Sequence, residues 1–170
     1  CSADKMVSLW DADKGARLRK FDEHGAIVNC CNVDLRNPNV VVSGSDDCTA
    51  ILWDIRSKNN QSMFHDYQVT AVAVTDGGNS VYTGSIDNII RKWDLRKGGG
   101  AEAACMTLRG HEDTITGLAV SRDNKMLLSN SMDCSLRAWN IQPFVAGVSS
   151  GDVEQGAARY EKLFQGHHHG

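Results

Sequence analysis

The chain consists of short runs in which hydrophobic and polar positions alternate, and turn-forming residues separate these runs. Around Trp53 the first run covers 27–35 (IVNCCNVDL) and alternates as expected for a strand with one buried side. An Asn-Pro-Asn turn leads to further runs at 40–45 and 49–55, and a polar loop leads to a short outer run at 61–65. This pattern predicts four consecutive strands connected by turns and short loops.

The same order of runs recurs twice, and part of it precedes the first set. The later predicted strands are 69–75, 80–85, 89–95 and 105–109, followed by 114–120, 125–131, 135–141 and 160–165. The beginning of the chain supplies 6–11 and 16–21. Only 150–164 suggests a helix, and its glycines weaken that alternative. The chain is therefore predicted to be all-β.

A fixed spacing between an acid and a tryptophan accompanies each set of runs. The acid precedes the tryptophan by six residues in four pairs: Asp4 and Trp10, Asp47 and Trp53, Asp87 and Trp93, Asp133 and Trp139. Successive tryptophans are 43, 40 and 46 residues apart (53−10, 93−53, 139−93). A period in the low forties with Trp-Asp endings is typical of WD40 repeats, which form β-propellers with four strands per blade.

The resemblance to WD-repeat proteins implies about three and a half blades of a seven-bladed disc. The expected segments are 1–21 (outer strands of an incomplete blade), 22–65, 66–109, 110–166 with an insertion at 143–159, and 167–170 at the start of a further repeat. The initial Cys suggests a missing N-terminus, and the chain is expected to be part of a longer one. Two open apolar faces are then expected, carrying Val7, Leu9, Leu127 and Leu136.

Composition disfavours several classes of function. The formal charge of −3 and the isoelectric point of about 6.1 provide no attraction to nucleic acid. The six cysteines have no zinc or disulfide spacing, and His167–His169 are interpreted as a loop or a tag. No apolar run is long enough to span a membrane, and no phosphate-binding loop is present. We therefore expect no cofactor, metal or small-molecule substrate.

Three repeats each contain a His, a hydroxyl, an Asp and a Trp at similar spacing. The sets are His24, Ser43, Asp47 and Trp53; His65, Thr83, Asp87 and Trp93; and His111, Ser129, Asp133 and Trp139. Ser45, Ser85 and Ser131 are alternative sources of the hydroxyl. His, Ser and Asp could form a catalytic triad. However, an enzyme needs one active site, whereas each blade needs its own hydrogen-bonded clamp, so we expect a structural tetrad in each blade and no enzyme activity.

Several segments resemble more narrowly the WD-repeat proteins of the U5 small nuclear ribonucleoprotein, a component of the spliceosome. These are 83–96 (TGSIDNIIRKWDLR), 127–144 (LLSNSMDCSLRAWNIQPF) and 162–166 (KLFQG). The resemblance implies a non-catalytic nuclear scaffold in pre-mRNA splicing. Its implied partners are other spliceosomal proteins, chiefly the large central U5 protein, without direct sequence-specific nucleic-acid binding. Trp139-Asn140 and Lys92 depart from the usual repeat.

Arginines are candidates for partner binding because this residue is enriched at interfaces. Arg56 and Arg96 are the main candidates, beside Arg17 and Arg19. The segments 53–56 (WDIR) and 93–96 (WDLR) also match the W-D-x-R box of WD-repeat substrate receptors of cullin-4 ubiquitin ligases. That class is the alternative interpretation.

Overall fold

All regular elements of the computed structural model are β-strands in the residues that it describes, namely 1–57, 60–77, 79–95, 104–142 and 160–165. The strands are β1 (Val7–Asp11), β2 (Ala16–Phe21), β3 (Val28–Val33), β4 (Val40–Ser45), β5 (Thr49–Asp54), β6 (Asn60–Phe64), β7 (Val69–Val74), β8 (Ser80–Ser85), β9 (Ile90–Asp94), β10 (Ala104–Leu108), β11 (Ile115–Val120), β12 (Met126–Ser131), β13 (Ser135–Asn140) and β14 (Tyr160–Gln165). The predicted all-β class is confirmed. No helix in this part of the chain is long and apolar enough to cross a bilayer.

The strands form four antiparallel sheets in which neighbours along the chain are neighbours in space. β1 and β2 form a two-stranded sheet, and the orders β3-β4-β5-β6, β7-β8-β9-β10 and β11-β12-β13-β14 form three blades. We name these blades after their tryptophans, Trp53, Trp93 and Trp139. The predicted strands agree with the observed ones to within about two residues, the usual uncertainty of an element boundary. The inferred segment boundaries remain predictions, and 143–159 lies outside the described residues.

Three apolar cores hold the sheets together, each between two consecutive sheets. Phe21 of β2 packs with Val28 and Trp53 in the first core. The second core joins the Trp53 and Trp93 blades, and the third joins the Trp93 and Trp139 blades. Each blade therefore directs its tryptophan towards the preceding sheet. Trp10 joins none of these cores of the described residues and is 58% exposed.

Two glycines allow neighbouring blades to approach closely. A Cβ atom at Gly84 would lie 2.5 Å from Cγ2 of Ile115 in the next blade. A Cβ atom at Gly44 would lie 2.6 Å from Cγ1 of Val69. Real Cβ atoms essentially never come this close to another atom, so these positions exclude a side chain unless the blades move apart.

The residue after each motif Asp has a left-handed backbone conformation. Lys5, Cys48, Asn88 and Cys134 have φ values of 70°, 65°, 66° and 61°. A left-handed residue commonly closes a three-residue hairpin loop. The four turns therefore share a left-handed residue at this position although different side chains occupy it.

The expected composition of the open faces is partly wrong. Val7 is 5% exposed and packs towards the Trp53 blade, while Leu127 is fully buried against the Trp93 blade. The outward side of the Trp139 blade carries Leu136, as expected, together with Leu128 and Phe164, all on the side of the sheet opposite to Leu127. Successive side chains of a strand point to opposite faces, so a shift of one residue exchanges inside and outside.

Candidate functional site

The predicted residues of the Trp53 blade form a continuous chain of hydrogen bonds. The indole N–H of Trp53 donates to Ser43 Oγ at 2.8 Å, and Ser43 Oγ lies 2.7 Å from His24 Nε2. His24 Nδ1 lies 2.8 Å from Asp47 Oδ2. The carboxylate also accepts the backbone N–H of Gly25 at 2.8 Å. The chain therefore links β4, β5, the turn between them and the loop before β3.

The Trp139 blade repeats this arrangement with the same distances. Trp139 donates to Ser129 Oγ at 2.8 Å, and that oxygen lies 2.7 Å from His111 Nε2. His111 Nδ1 lies 2.8 Å from Asp133 Oδ2, which also accepts the backbone N–H of Glu112. Two blades of different sequence thus form the same cluster.

The directions of these hydrogen bonds follow from the donors available. Because Asp47 can only accept, His24 donates from Nδ1 and presents Nε2 as an acceptor. Ser43 then donates to Nε2 and accepts from the indole. The structure brings Ser43, Thr83 and Ser129 into this position, whereas Ser45 and Ser131 accept the backbone N–H of Asp47 and Asp133 at 3.2 Å.

The Trp93 blade differs on its acidic side. Trp93 donates to Thr83 Oγ1 at 2.9 Å, and His65 Nε2 lies 2.8 Å from that oxygen, as in the other blades. His65 Nδ1, however, contacts the carbonyl oxygen of Met63 at 3.2 Å. Asp87 Oδ2 accepts from Arg91 Nη2 at 2.6 Å. The expected bond from His65 to Asp87 is therefore replaced by two separate contacts.

A hydroxyl that the sequence analysis missed explains this difference. Thr49 and Ser135, each two residues after the Asp, donate to Asp47 and Asp133 at 2.6 Å. Ile89 occupies the equivalent position of the Trp93 blade and offers only its backbone N–H. Asp87 consequently binds the guanidinium of Arg91, where the Trp53 blade has Ile51. The sequence signal for this hydroxyl is a Ser or Thr two residues after the acid, present in the Trp53 and Trp139 repeats and absent from the Trp93 repeat.

The environments of these groups fix their charges near neutral pH. Burial alone raises the pKa of Asp47, but hydrogen bonds from Thr49, His24 and Gly25 outweigh it, so the pKa is lowered. Asp133 shows the same balance, and its pKa is lowered too. Burial lowers the pKa of His111, and burial together with the positive charge of Arg91 lowers the pKa of His65 to about 4. The carboxylates are therefore charged and these two imidazoles are neutral.

The geometry of the clusters suits a clamp better than a nucleophile. Ser43, Thr83 and Ser129 are fully buried. Each of the three oxygens also already contacts an imidazole and an indole. A nucleophilic hydroxyl must be within reach of a substrate, and these oxygens are buried and already hydrogen-bonded. Within the described residues, no group of three or more His, Cys, Asp or Glu could hold a metal ion.

The candidate arginines are placed very differently. Arg56 is exposed at the end of β5, and its backbone N–H donates to Asp54 Oδ1 at 2.8 Å. Arg19 instead donates to the carbonyl oxygens of Ile55 and Ser57 and lies over the ring of Phe21. Arg17 is exposed on β2. Arg96 and His167–His169 lie outside the described residues.

Blades of four antiparallel strands with a repeated Trp cluster define a WD-repeat β-propeller protein. The family described as "WD domain, G-beta repeat" matches residues 15–54, 58–94 and 103–140. These matches cover more than half of the chain, and the chain belongs to this family.

Among known proteins, the chain is similar to components of the splicing machinery. It is 44% identical over 110 residues to the U5 small nuclear ribonucleoprotein 40 kDa protein of Dictyostelium discoideum, covering 64% of this chain and 30% of that protein. It is 38% identical over 157 residues to the pre-mRNA-splicing factor cwf17 of Schizosaccharomyces pombe, covering 92% and 45%. The human U5 40 kDa protein is 40% identical over 160 residues, covering 94% and 41%. The chain thus spans less than half the length of these relatives.

Proposed function

We propose that the chain is part of a non-catalytic protein-interaction scaffold that acts in pre-mRNA splicing within the U5 small nuclear ribonucleoprotein, in the nucleus. The observation that carries this proposal is the identity of 38–44% to proteins named as U5 and splicing components. The His, hydroxyl and Trp contacts of all three blades, extended by the Asp in the Trp53 and Trp139 blades, serve as clamps that hold the blades. The partners are other spliceosomal proteins, chiefly the large central U5 protein.

The structure is consistent with a scaffold in two respects. The hydroxyls of the clusters are fully buried and hydrogen-bonded, so the most enzyme-like residues are engaged in the fold. The clamps also make the blades rigid, and rigid surfaces lose less entropy when a partner binds.

Affinity purification tests the splicing proposal. The protein that contains this chain, tagged in its own cells, should recover U5 proteins and U5 RNA from nuclear extract, as measured by quantitative mass spectrometry and RNA sequencing. An unrelated WD-repeat protein expressed at the same level is the control. Recovery of the same background set by both proteins would contradict the proposal.

The second candidate, a substrate receptor of a cullin-4 ubiquitin ligase, is favoured by the exposure of Arg56 in its W-D-x-R box. Arg56→Glu should then abolish recovery of the ligase adaptor, while Arg122→Glu, at another exposed arginine, should not. Loss of U5 proteins from the Arg56→Glu variant would instead favour the splicing scaffold.

A further inference from the structure

One end of the three blades is formed by six connections. Because the strands are antiparallel, the loops before β3, β7 and β11 lie beside the turns that follow β4, β8 and β12. A backbone hydrogen bond joins each loop to its turn. The N–H of Asp46 donates to the carbonyl oxygen of Ile27 at 2.9 Å, that of Ile86 to Gln68 at 3.2 Å, and that of Met132 to Thr114 at 2.9 Å. We call this surface the turn face.

The turn face exposes large apolar side chains in every blade. Ile27 is 44% exposed, Tyr67 51%, Ile86 39% and Met132 62%. Ile86 and Met132 occupy the same position of their turns, directly before the motif Asp. Single exposed apolar residues are ordinary, but four on one surface of adjoining loops indicate a contact site.

Acidic side chains lie among these apolar ones. Asp66 adjoins Tyr67, and Glu112 and Asp113 lie in the loop before β11, all three exposed. Asp46 holds the position in the Trp53 blade that Ile86 and Met132 hold in theirs. The exposed positively charged side chain in these loops is that of Arg109. The turn face is therefore both apolar and negatively charged.

Side-chain contacts between blades keep this surface in one arrangement. Asn29 Nδ2 donates to Asp46 Oδ1 at 2.7 Å and to the carbonyl oxygen of Val69 at 3.0 Å, in the next blade. Thr70 Oγ1 donates to the carbonyl oxygens of Gly84, in its own blade, and Ile115, in the next. A surface that is already ordered gains affinity because less freedom is lost on binding.

We infer that the turn face binds a basic protein segment in which arginine or lysine alternates with aliphatic side chains. Tyr67, Ile86 and Met132 would contact the aliphatic groups, and Asp46, Asp66 and Glu112 would attract the cations. Complementary charge selects the partner and accelerates the encounter. A nucleic acid would be repelled, since its phosphates carry the same sign as this surface.

Binding of synthetic peptides to the full chain tests this inference. The probe is a fluorescent peptide that repeats Arg-Leu-Arg-Ser, and the controls replace either every Leu by Ser or every Arg by Glu. We expect the first peptide to bind more tightly than both controls, with an affinity that falls as salt is added, because salt screens exposed charges. Anisotropy titrations at low and moderate salt measure both effects.

Matched variants locate the binding. Ile86→Ser with Met132→Ser, and separately Asp66→Asn with Glu112→Gln, should each weaken the first peptide at least about fivefold, as loss of an interface anchor does. Leu35→Ser, at a residue 75% exposed at the opposite end of the blades, should leave the affinity unchanged. All the substituted side chains are exposed, and unchanged melting temperatures would show that the variants are folded.

Three results would overturn the inference. All variants could bind the first peptide with equal affinity, the native chain could bind the three peptides equally, or an oligouridine could displace the peptide. The inference rests on the scaffold function only in that the partner is a protein. Peptide binding at the turn face without recovery of splicing proteins would sustain it and contradict the splicing proposal. Recovery of splicing proteins without peptide binding at the turn face would contradict this inference and leave the splicing proposal intact.

Discussion

Arg91 changes the character of the Trp93 cluster. It pairs in register with Thr83, as Ile51 pairs with Ser43, and its side chain is only 14% exposed. The guanidinium binds Asp87, but Arg91 Nη1 and Ser85 Oγ are buried without a hydrogen-bond partner in the part of the chain that the structure describes. Such groups cost stability because they lose hydration without compensation. The Trp93 cluster is therefore the least satisfied of the three.

Removing the carboxylate of Asp87 should strongly destabilise this blade. Asp87→Ala leaves the positive charge of Arg91 largely buried and without its carboxylate. Breaking a buried ion pair in this way costs about 3 kcal/mol. Asp76→Ala, whose carboxylate lies 3.9 Å from the exposed Arg36, should cost less than about 1 kcal/mol. Urea denaturation of the two variants measures the difference. Equal losses would show that the Asp87 pair is not structural.

Copying two residues of the Trp53 blade should restore the common cluster. The variant Ile89→Thr with Arg91→Ile supplies the missing hydroxyl and removes the cation, so Asp87 becomes available to His65. The pKa of His65, about 4 in the native chain, should rise because the repulsion by Arg91 is lost and a carboxylate is gained. Titration of the imidazole by NMR checks this, and an unchanged pKa would contradict the explanation.

The same change should reduce the acid sensitivity of folding. The folded pKa of about 4 lies below the ordinary value of 6.5, so the unfolded chain takes up a proton first as pH falls. Stability is therefore complete above the ordinary value and declines towards the folded one, by up to about 2 kcal/mol near pH 5. Urea midpoints near pH 7.5 and near pH 5 should differ less in the variant than in the native chain. His111 is present in both proteins and serves as the internal control.

The sequence could predict the members of the clusters but not all of their partners. Spacing identified His65, Thr83, Asp87 and Trp93 together because each lies at a repeated offset in the chain. Whether Asp87 binds His65 or Arg91 depends on a competition in space, which the spacing does not describe. The missing hydroxyl at Ile89 is the explanation that the double variant tests.

At the scale of the strands, alternation and turn residues were sufficient to place each element. The predicted runs 40–45 and 80–85 coincide with β4 and β8, since both end at a sharp turn. The faces were harder to predict. Leu127 and Leu128 are adjacent and equally apolar, and only the packing of the Trp93 blade shows which one is buried.

Close packing between blades should make Gly84 intolerant of a side chain. Gly84→Ala places a methyl group against Ile115, and such overpacking costs about 1–3 kcal/mol. Gly117→Ala is the matched control in the adjoining strand β11, because its Cβ would lie 3.8 Å from Cβ of Asn130, an ordinary contact. Its effect should stay within about 0.5 kcal/mol. Thermal or urea denaturation compares them, and equal effects would show that the blades can separate without cost.

At the scale of the whole molecule, the two end sheets lack a neighbour within the described chain. Leu128, Leu136 and Phe164 face outward on one side, and Trp10 is exposed on the other. Each square ångström of apolar surface left in water costs about 25 cal/mol. A solution of residues 1–170 alone should therefore self-associate, as measured by analytical ultracentrifugation.

Leu128→Ser with Phe164→Ser should weaken this self-association, whereas Leu35→Ser, away from the end sheets, should not. A monodisperse native chain with a cooperative melting transition would contradict the expectation. It would also show that the outward faces need no cover.

The left-handed residues of the hairpin turns bear on the order in which the molecule folds. Cys48, Asn88 and Cys134 each close a loop between strands that adjoin in sequence. Such hairpins form within about 1–10 μs, and early contacts are those that need little loop closure. Each His, by contrast, is about twenty residues from the hydroxyl that it joins. We therefore expect the central hairpins to form first and the clamps to close after them, before the contacts between blades, such as Asn29 to Val69, that join residues 40 apart.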